Sequence, residues 1–131
     1  MILLDTHAWV WWLAQPESLS EQARTAVQRG MEDGGLAVSS ISVWELALLV
    51  QKGRLGLSIE VSRWLERCET LPFLSFLPVD NRVALHAVSL PPTLHADPAD
   101  RMIVATALIH GMSVVTKDAR IHTCGLVPAI W

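Results

Sequence analysis

The residues best equipped for chemistry in this 131-residue sequence are its acids, and four of them share a placement. Asp5 closes the apolar run Ile2-Leu3-Leu4, and Glu45 falls in the expected first turn of the helix after Leu36-Ala37-Val38-Ser39. Asp100 opens a long apolar helix, and Asp118 follows Ser113-Val114-Val115-Thr116. If the apolar runs are parallel strands, all four carboxylates lie at the carboxyl edge of the sheet, where open α/β sheets bind ligands. Carboxylates packed at about 4–6 Å raise one another's pKa, so the group calls for a counter-charge. Oxygen-only ligands favour a hard divalent ion, Mg2+ or Mn2+. Such an ion keeps several waters and can deprotonate one for attack on a phosphodiester, and a second ion would stabilise the leaving oxygen. The acids predict metal-assisted phosphoryl chemistry.

Each acid also has a local use. Asp5 could cap the helix after it, and Ser42-Val43-Trp44-Glu45 has the form of a capping box. Asp97, directly before Pro98, suits a helix cap better than a ligand, and Asp118 suits a turn. The case for a site is the convergence of four separate acids on one edge.

The elements that must position them read as alternating strands and helices. Strands are expected at Ile2–Leu4, Leu36–Ser39, Phe76–Val79 (short or at an edge because of Pro78) and Ser113–Thr116. Helices are expected over His7–Ala14, over Leu19–Met31 with Ser18 or Ser20 as cap, and over Ser42–Lys52. Further helices are expected over Ser58–Thr70, over Asn81–Ser89, and from Asp97-Pro98 to Gly111. This order predicts an α/β fold with a mainly parallel sheet, in one domain spanning residues 1–131. Internal repeats and linkers are absent from the sequence.

Composition narrows the function classes. A net charge of −3 argues against passive, charge-driven binding to nucleic acid. No apolar run is long enough for a membrane span, and the opening Met-Ile-Leu-Leu-Asp has no basic leader. Cys68 and Cys124 make no disulfide framework, so a cytoplasmic location is expected. A mean hydropathy of +0.36 and six tryptophans point to a partner or a dimer that covers apolar surface. His7, His86, His95, His110 and His122 form no pair at zinc-ligand spacing, and neither a glycine-rich nucleotide loop nor a nucleophile elbow is present.

Taken together, Leu3-Leu4-Asp5-Thr6-His7, Val43-Trp44-Glu45-Leu46, His95-Ala96-Asp97-Pro98-Ala99-Asp100-Arg101 and Val115-Thr116-Lys117-Asp118 resemble the PIN-domain family. The likeness extends over the whole chain and is to its VapC-type toxins of bacterial toxin–antitoxin pairs. The resemblance implies a PIN-like three-layer fold, a Mg2+-dependent (or Mn2+-dependent) ribonuclease, a homodimer and a small antitoxin partner. Carried onto this sequence, it makes Asp5, Glu45, Asp100 and Asp118 catalytic, with Asp5, Asp100 and Asp118 as metal ligands. Thr6 and Thr116 are supporting candidates, and Asp97 is the competitor of Asp100. Ala99 stands where relatives often carry an aromatic residue. Two other functions compete: a catalytically silent PIN-like binding module, which would have lost acids, and an aspartyl-nucleophile phosphatase, which would want an acid where His7 stands. Trp9, Trp11, Trp12 and Trp44 are expected to line a groove for an apolar antitoxin segment.

Overall fold

A computed structural model describes residues 1–131. Its strands are β1 (Ile2–Leu4), β2 (Leu36–Ser39), β3 (Leu74–Leu77), β4 (Val114–Val115) and β5 (Ala129–Ile130). They form one wholly parallel sheet in the order β3-β2-β1-β4-β5. The chain steps one way from β1 to β3 and then resumes on the other side of β1. The order reverses between β1 and β4, and a crevice opens at such a reversal beyond the strand ends.

Seven helices enclose the sheet: α1 (Thr6–Ala14), α2 (Glu21–Glu32), α3 (Ser40–Gln51), α4 (Val61–Glu69), α5 (Asn81–Ser89), α6 (Pro98–His110) and α7 (Ala119–Cys124). Side chains alternate across a strand, and here the alternation divides two cores. Leu3, Ala37 and Val114 join Val83, Ile103 and Ile121 on one side. Leu4, Val38 and Val115 join Trp9, Val27, Leu46 and Trp64 on the other. This is the expected three-layer α/β fold.

Several boundaries differ from the sequence reading for local reasons. Ser20 caps α2, its hydroxyl accepting from the Ala23 amide at 3.0 Å. The third strand begins two residues early and stops before Pro78. The fifth strand and α7 are too short for periodicity to reveal. Helix α4 starts at Val61 instead of Ser58. Helix α3 starts at Ser40 with Ser39 as cap, so Glu45 lies in the second turn and the capping box does not form. At Gly30, a β-carbon would come within 2.5 Å of the Leu36 side chain, so the small residue lets α2 approach the sheet.

Helix α1 is apolar all round because it is covered unequally on every side. Trp9 is fully buried and packs against Trp64 and Phe76 at 5.0 and 5.6 Å between ring centres. Trp11 and Trp12 are half-buried on separate sides, beside Trp131 and Phe73. Trp44 on α3 is 58% exposed. The expected four-tryptophan groove is therefore not formed: Trp9 is core, and the other three face different surroundings. Trp9→Ala should destabilise the fold by about 3–5 kcal/mol, while Trp44→Ala should stay within about 0.5 kcal/mol of the parent. Urea unfolding of the two variants checks this; equal midpoints would contradict it.

Candidate active site

Asp5 sits at the end of β1 and also caps α1. Its Oδ1 accepts from the Thr6 amide at 2.8 Å, and its Oδ2 accepts from the Thr116 hydroxyl at 2.7 Å. The second bond spans β1 and β4 at the point where the strand order reverses. Thr6 in turn donates its hydroxyl to Ser42 Oγ at 2.9 Å, tying α1 to α3. Both threonines and Ser42 are buried. The capping role expected of Ser42 is replaced by this link, and Thr6 and Thr116 are the scaffold of the acid edge.

Asp97 caps α6, accepting from the amides of Ala99 and Asp100 at 2.9 and 3.3 Å. Asp100 lies one turn in and is buried. Of this pair Asp97 does the capping, and Asp100 is the more deeply buried. Asp118 caps α7, accepting from the Arg120 amide at 2.8 Å. Asp5, Glu45, Asp97, Asp100 and Asp118 all line one cavity of about 490 Å³. His7, Lys117, Arg120 and the edge of Trp11 complete its wall.

One participant went unrecognised in the sequence. His95 Nε2 lies 2.5 Å from Asp100 Oδ2, and its Nδ1 is buried without a partner. A bare lone pair is more tolerable there than an orphaned N–H, which assigns the proton to Nε2 and makes His95 the donor. Arg101 faces away from the cavity and fixes this loop, donating to the carbonyls of Ala87, Leu90 and Leu94 at 3.1, 2.6 and 3.0 Å. One ligand atom each from His95, Asp100 and Asp118 lie within 4.8 Å of one another. The only sequence sign of His95 was its position two residues before Asp97.

The electrostatics follow from depth. Burial pushes the Asp5 carboxyl up, against the hydrogen bonds from Thr116 and Thr6. Burial also raises Glu45, and the charges of Asp5 and Asp97 add to it. Asp100 is raised from 3.8 to about 6, first by burial and then by Asp5, Asp97 and Asp118, despite the bond from His95. At Asp118 partial burial acts upward, but Arg120 outweighs it and holds the carboxyl below its ordinary value. The donor set is dominated by hard carboxylate oxygens, which fits Mg2+ or Mn2+; a zinc site would want more nitrogen or sulfur.

The fold and this acidic edge define a class, and the sequence agrees: the PIN domain model matches residues 2–125, and the chain belongs to that family. It is 42% identical over 123 residues to Ribonuclease VapC22 of Mycobacterium tuberculosis, covering 93% of this chain and 90% of that protein. Among solved structures it resembles FitAcB from Neisseria gonorrhoeae, with a TM-score of 0.69, 28% identity, and coverage of 98% of this chain and 96% of that one. VapBC2 from Rickettsia felis, solved bound to a fragment of promoter DNA, shares the fold with a TM-score of 0.71 at 16% identity, covering 98% and 97% of the two chains.

A raised carboxyl pKa in the native state has a definite consequence for stability. Between about pH 4 and 6, native Asp100 keeps a proton that the unfolded chain has released. Stability of the metal-free protein should therefore fall as pH rises through that window, with the raised Asp5 acting in the same direction. Urea midpoints in EDTA at pH 4.5 and 6.5 measure the slope, and Asp100→Asn should flatten it. A midpoint that rises with pH would refute the assignment.

Proposed function

We propose that the protein is the ribonuclease toxin of a VapBC-type toxin–antitoxin pair, hydrolysing RNA phosphodiester bonds with a divalent ion. The observation that carries this reading is the gathering of five carboxylates around one open cavity at the strand-order reversal. The 42% identity to a protein named Ribonuclease VapC22 supports RNA as the substrate. Asp5, Asp100 and Asp118 would hold Mg2+ or Mn2+, and Glu45 would orient water. The ion, when bound, supplies charge for the phosphate and acidity for a water.

The chain's own residues prepare that chemistry. Thr116 and the Thr6 amide fix both Asp5 oxygens, so the carboxylate needs no reorganisation when charge develops beside it. His95 orients Asp100 by binding Oδ2 and leaves Oδ1 available. A phosphatase using Asp5 as nucleophile is disfavoured, because His7 stands two residues on, where that chemistry wants an acid. A silent binding module is disfavoured by retention of the whole acidic set.

The complexes among its structural relatives support a small antitoxin as partner. Apart from the acids, an apolar cavity of about 450 Å³ lined by Leu13, Leu57, Ile59, Trp64 and Leu71 offers room for an apolar segment of such a partner. A homodimer would cover other apolar surface, such as the exposed Leu85 and Val88 of α5. No helix of the protein is long and apolar enough to cross a membrane, and both cysteines are free. A cytosolic site of action suits both facts.

Antitoxin-free protein incubated with cellular RNA should cleave it with Mg2+ or Mn2+ and leave it intact in EDTA; equal cleavage in both would overturn the metal dependence. Asp5→Asn and Asp100→Asn should remove cleavage while keeping the fold by circular dichroism. Asp97→Asn should retain most of it, since Asn also caps a helix. An inactive Asp97→Asn beside an active Asp100→Asn would reverse their roles.

A further inference from the structure

Arg120 occupies an unusual position for a surface arginine. It stands two residues after Asp118 at the start of α7 and is 61% exposed, yet its guanidinium is turned back over the acids. Nε and Nη2 form a fork on Asp118, at 3.2 Å to Oδ1 and 3.0 Å to Oδ2. The same Nη2 lies 3.7 Å from Oδ2 of Asp100. One cationic group thus bridges two of the three residues whose ligand atoms cluster within 4.8 Å. A hydrated lysine ammonium could not make this planar, two-oxygen contact.

We infer that Arg120 is a resident counter-cation that a divalent ion must displace from Asp100 and Asp118, and that the displaced guanidinium then binds a phosphate of the RNA. The inference rests on the metal-dependent nuclease reading. A divalent ion held by these two carboxylates draws on the same oxygens as the guanidinium, and two cations on shared oxygens repel each other. The released side chain would remain on the rim of the cavity, which Lys117 also lines. There it is the best-suited anion binder, because a guanidinium fits a phosphate as it fits a carboxylate.

The exchange gives Arg120 opposite effects on two ligands, which a merely structural role would not. Arg120→Gln removes the charge, and the Arg120 amide that donates to Asp118 is unaffected by the side chain. Calorimetric titration with Mn2+ alone should show the variant binding about threefold or more tighter than the parent. Fluorescence anisotropy with a labelled phosphorothioate RNA 20-mer of mixed sequence, in saturating Mn2+, should show binding about fivefold or more weaker. Unchanged or weaker Mn2+ binding in the variant would overturn the displacement. Tighter Mn2+ binding with unchanged RNA affinity would overturn the phosphate contact. A parent protein that takes up no Mn2+ would instead overturn the metal reading on which the inference stands.

Discussion

The structure turns on a carboxylate almost removed from water. Asp5 is 8% exposed, and burial raises its pKa despite two good hydrogen bonds. The desolvation of the ionised form therefore outweighs what the Thr6 amide and Thr116 hydroxyl return. A residue held this way weakens the fold at neutral pH, and the apolar packing on both sides of the sheet has to offset it. The second of those bonds, from Thr116, joins β1 to β4 beyond their last paired residues. A group that destabilises the protein electrostatically is thus also the tie at the reversal of strand order. This is the pattern expected where a site is built for a ligand that arrives later, since a cation beside Asp5 would relieve the stress.

Around Asp5 the remaining acids divide by depth. Asp100 is enclosed and raised to about 6, with His95 bound to one of its oxygens. Asp118 lies nearer the surface and is lowered by Arg120. Neighbouring carboxyls are thereby pushed in opposite directions by their surroundings, which is how a single cavity can hold ionised and protonated acids together. The cavity wall also carries the cationic side chains of Arg120 and Lys117.

Much of this was legible in the sequence because it rests on local rules. Apolar runs ending in Asp, Ser or Thr marked β1, β2 and β4, and Asp97-Pro98 marked the start of α6. Convergence of Asp5, Glu45, Asp100 and Asp118 followed from parallel topology alone. Illegible features depended on contacts between distant segments. Ser42 looked like a cap because its sequence neighbours fit a capping box, yet its partner is Thr6, 36 residues away. His95 has no partner at zinc-ligand spacing, and its contact with the Asp100 carboxylate depends on how the loop before α6 folds back. The tryptophans of α1 were read as one surface because composition cannot say how a helix is covered.

That coverage explains why α1 can serve the site at all. Trp9 anchors the helix in the core through Trp64 and Phe76. Two residues on, Trp11 emerges at the cavity, with His7 at 5.4 Å on one side and Lys117 Nζ 5.7 Å from its ring centre. A lysine over an indole face is held by the ring's quadrupole as well as by nearby acids. The helix that begins at Asp5 therefore also positions a cation on the far wall, and Lys117 belongs to the strand end that supplies Thr116. Movement of α1 relative to β4 would disturb the Asp5–Thr116 bond and the Trp11–Lys117 contact together. The two contacts flank Trp9 along α1, so the packing of one buried tryptophan holds both the acidic edge and its cationic rim.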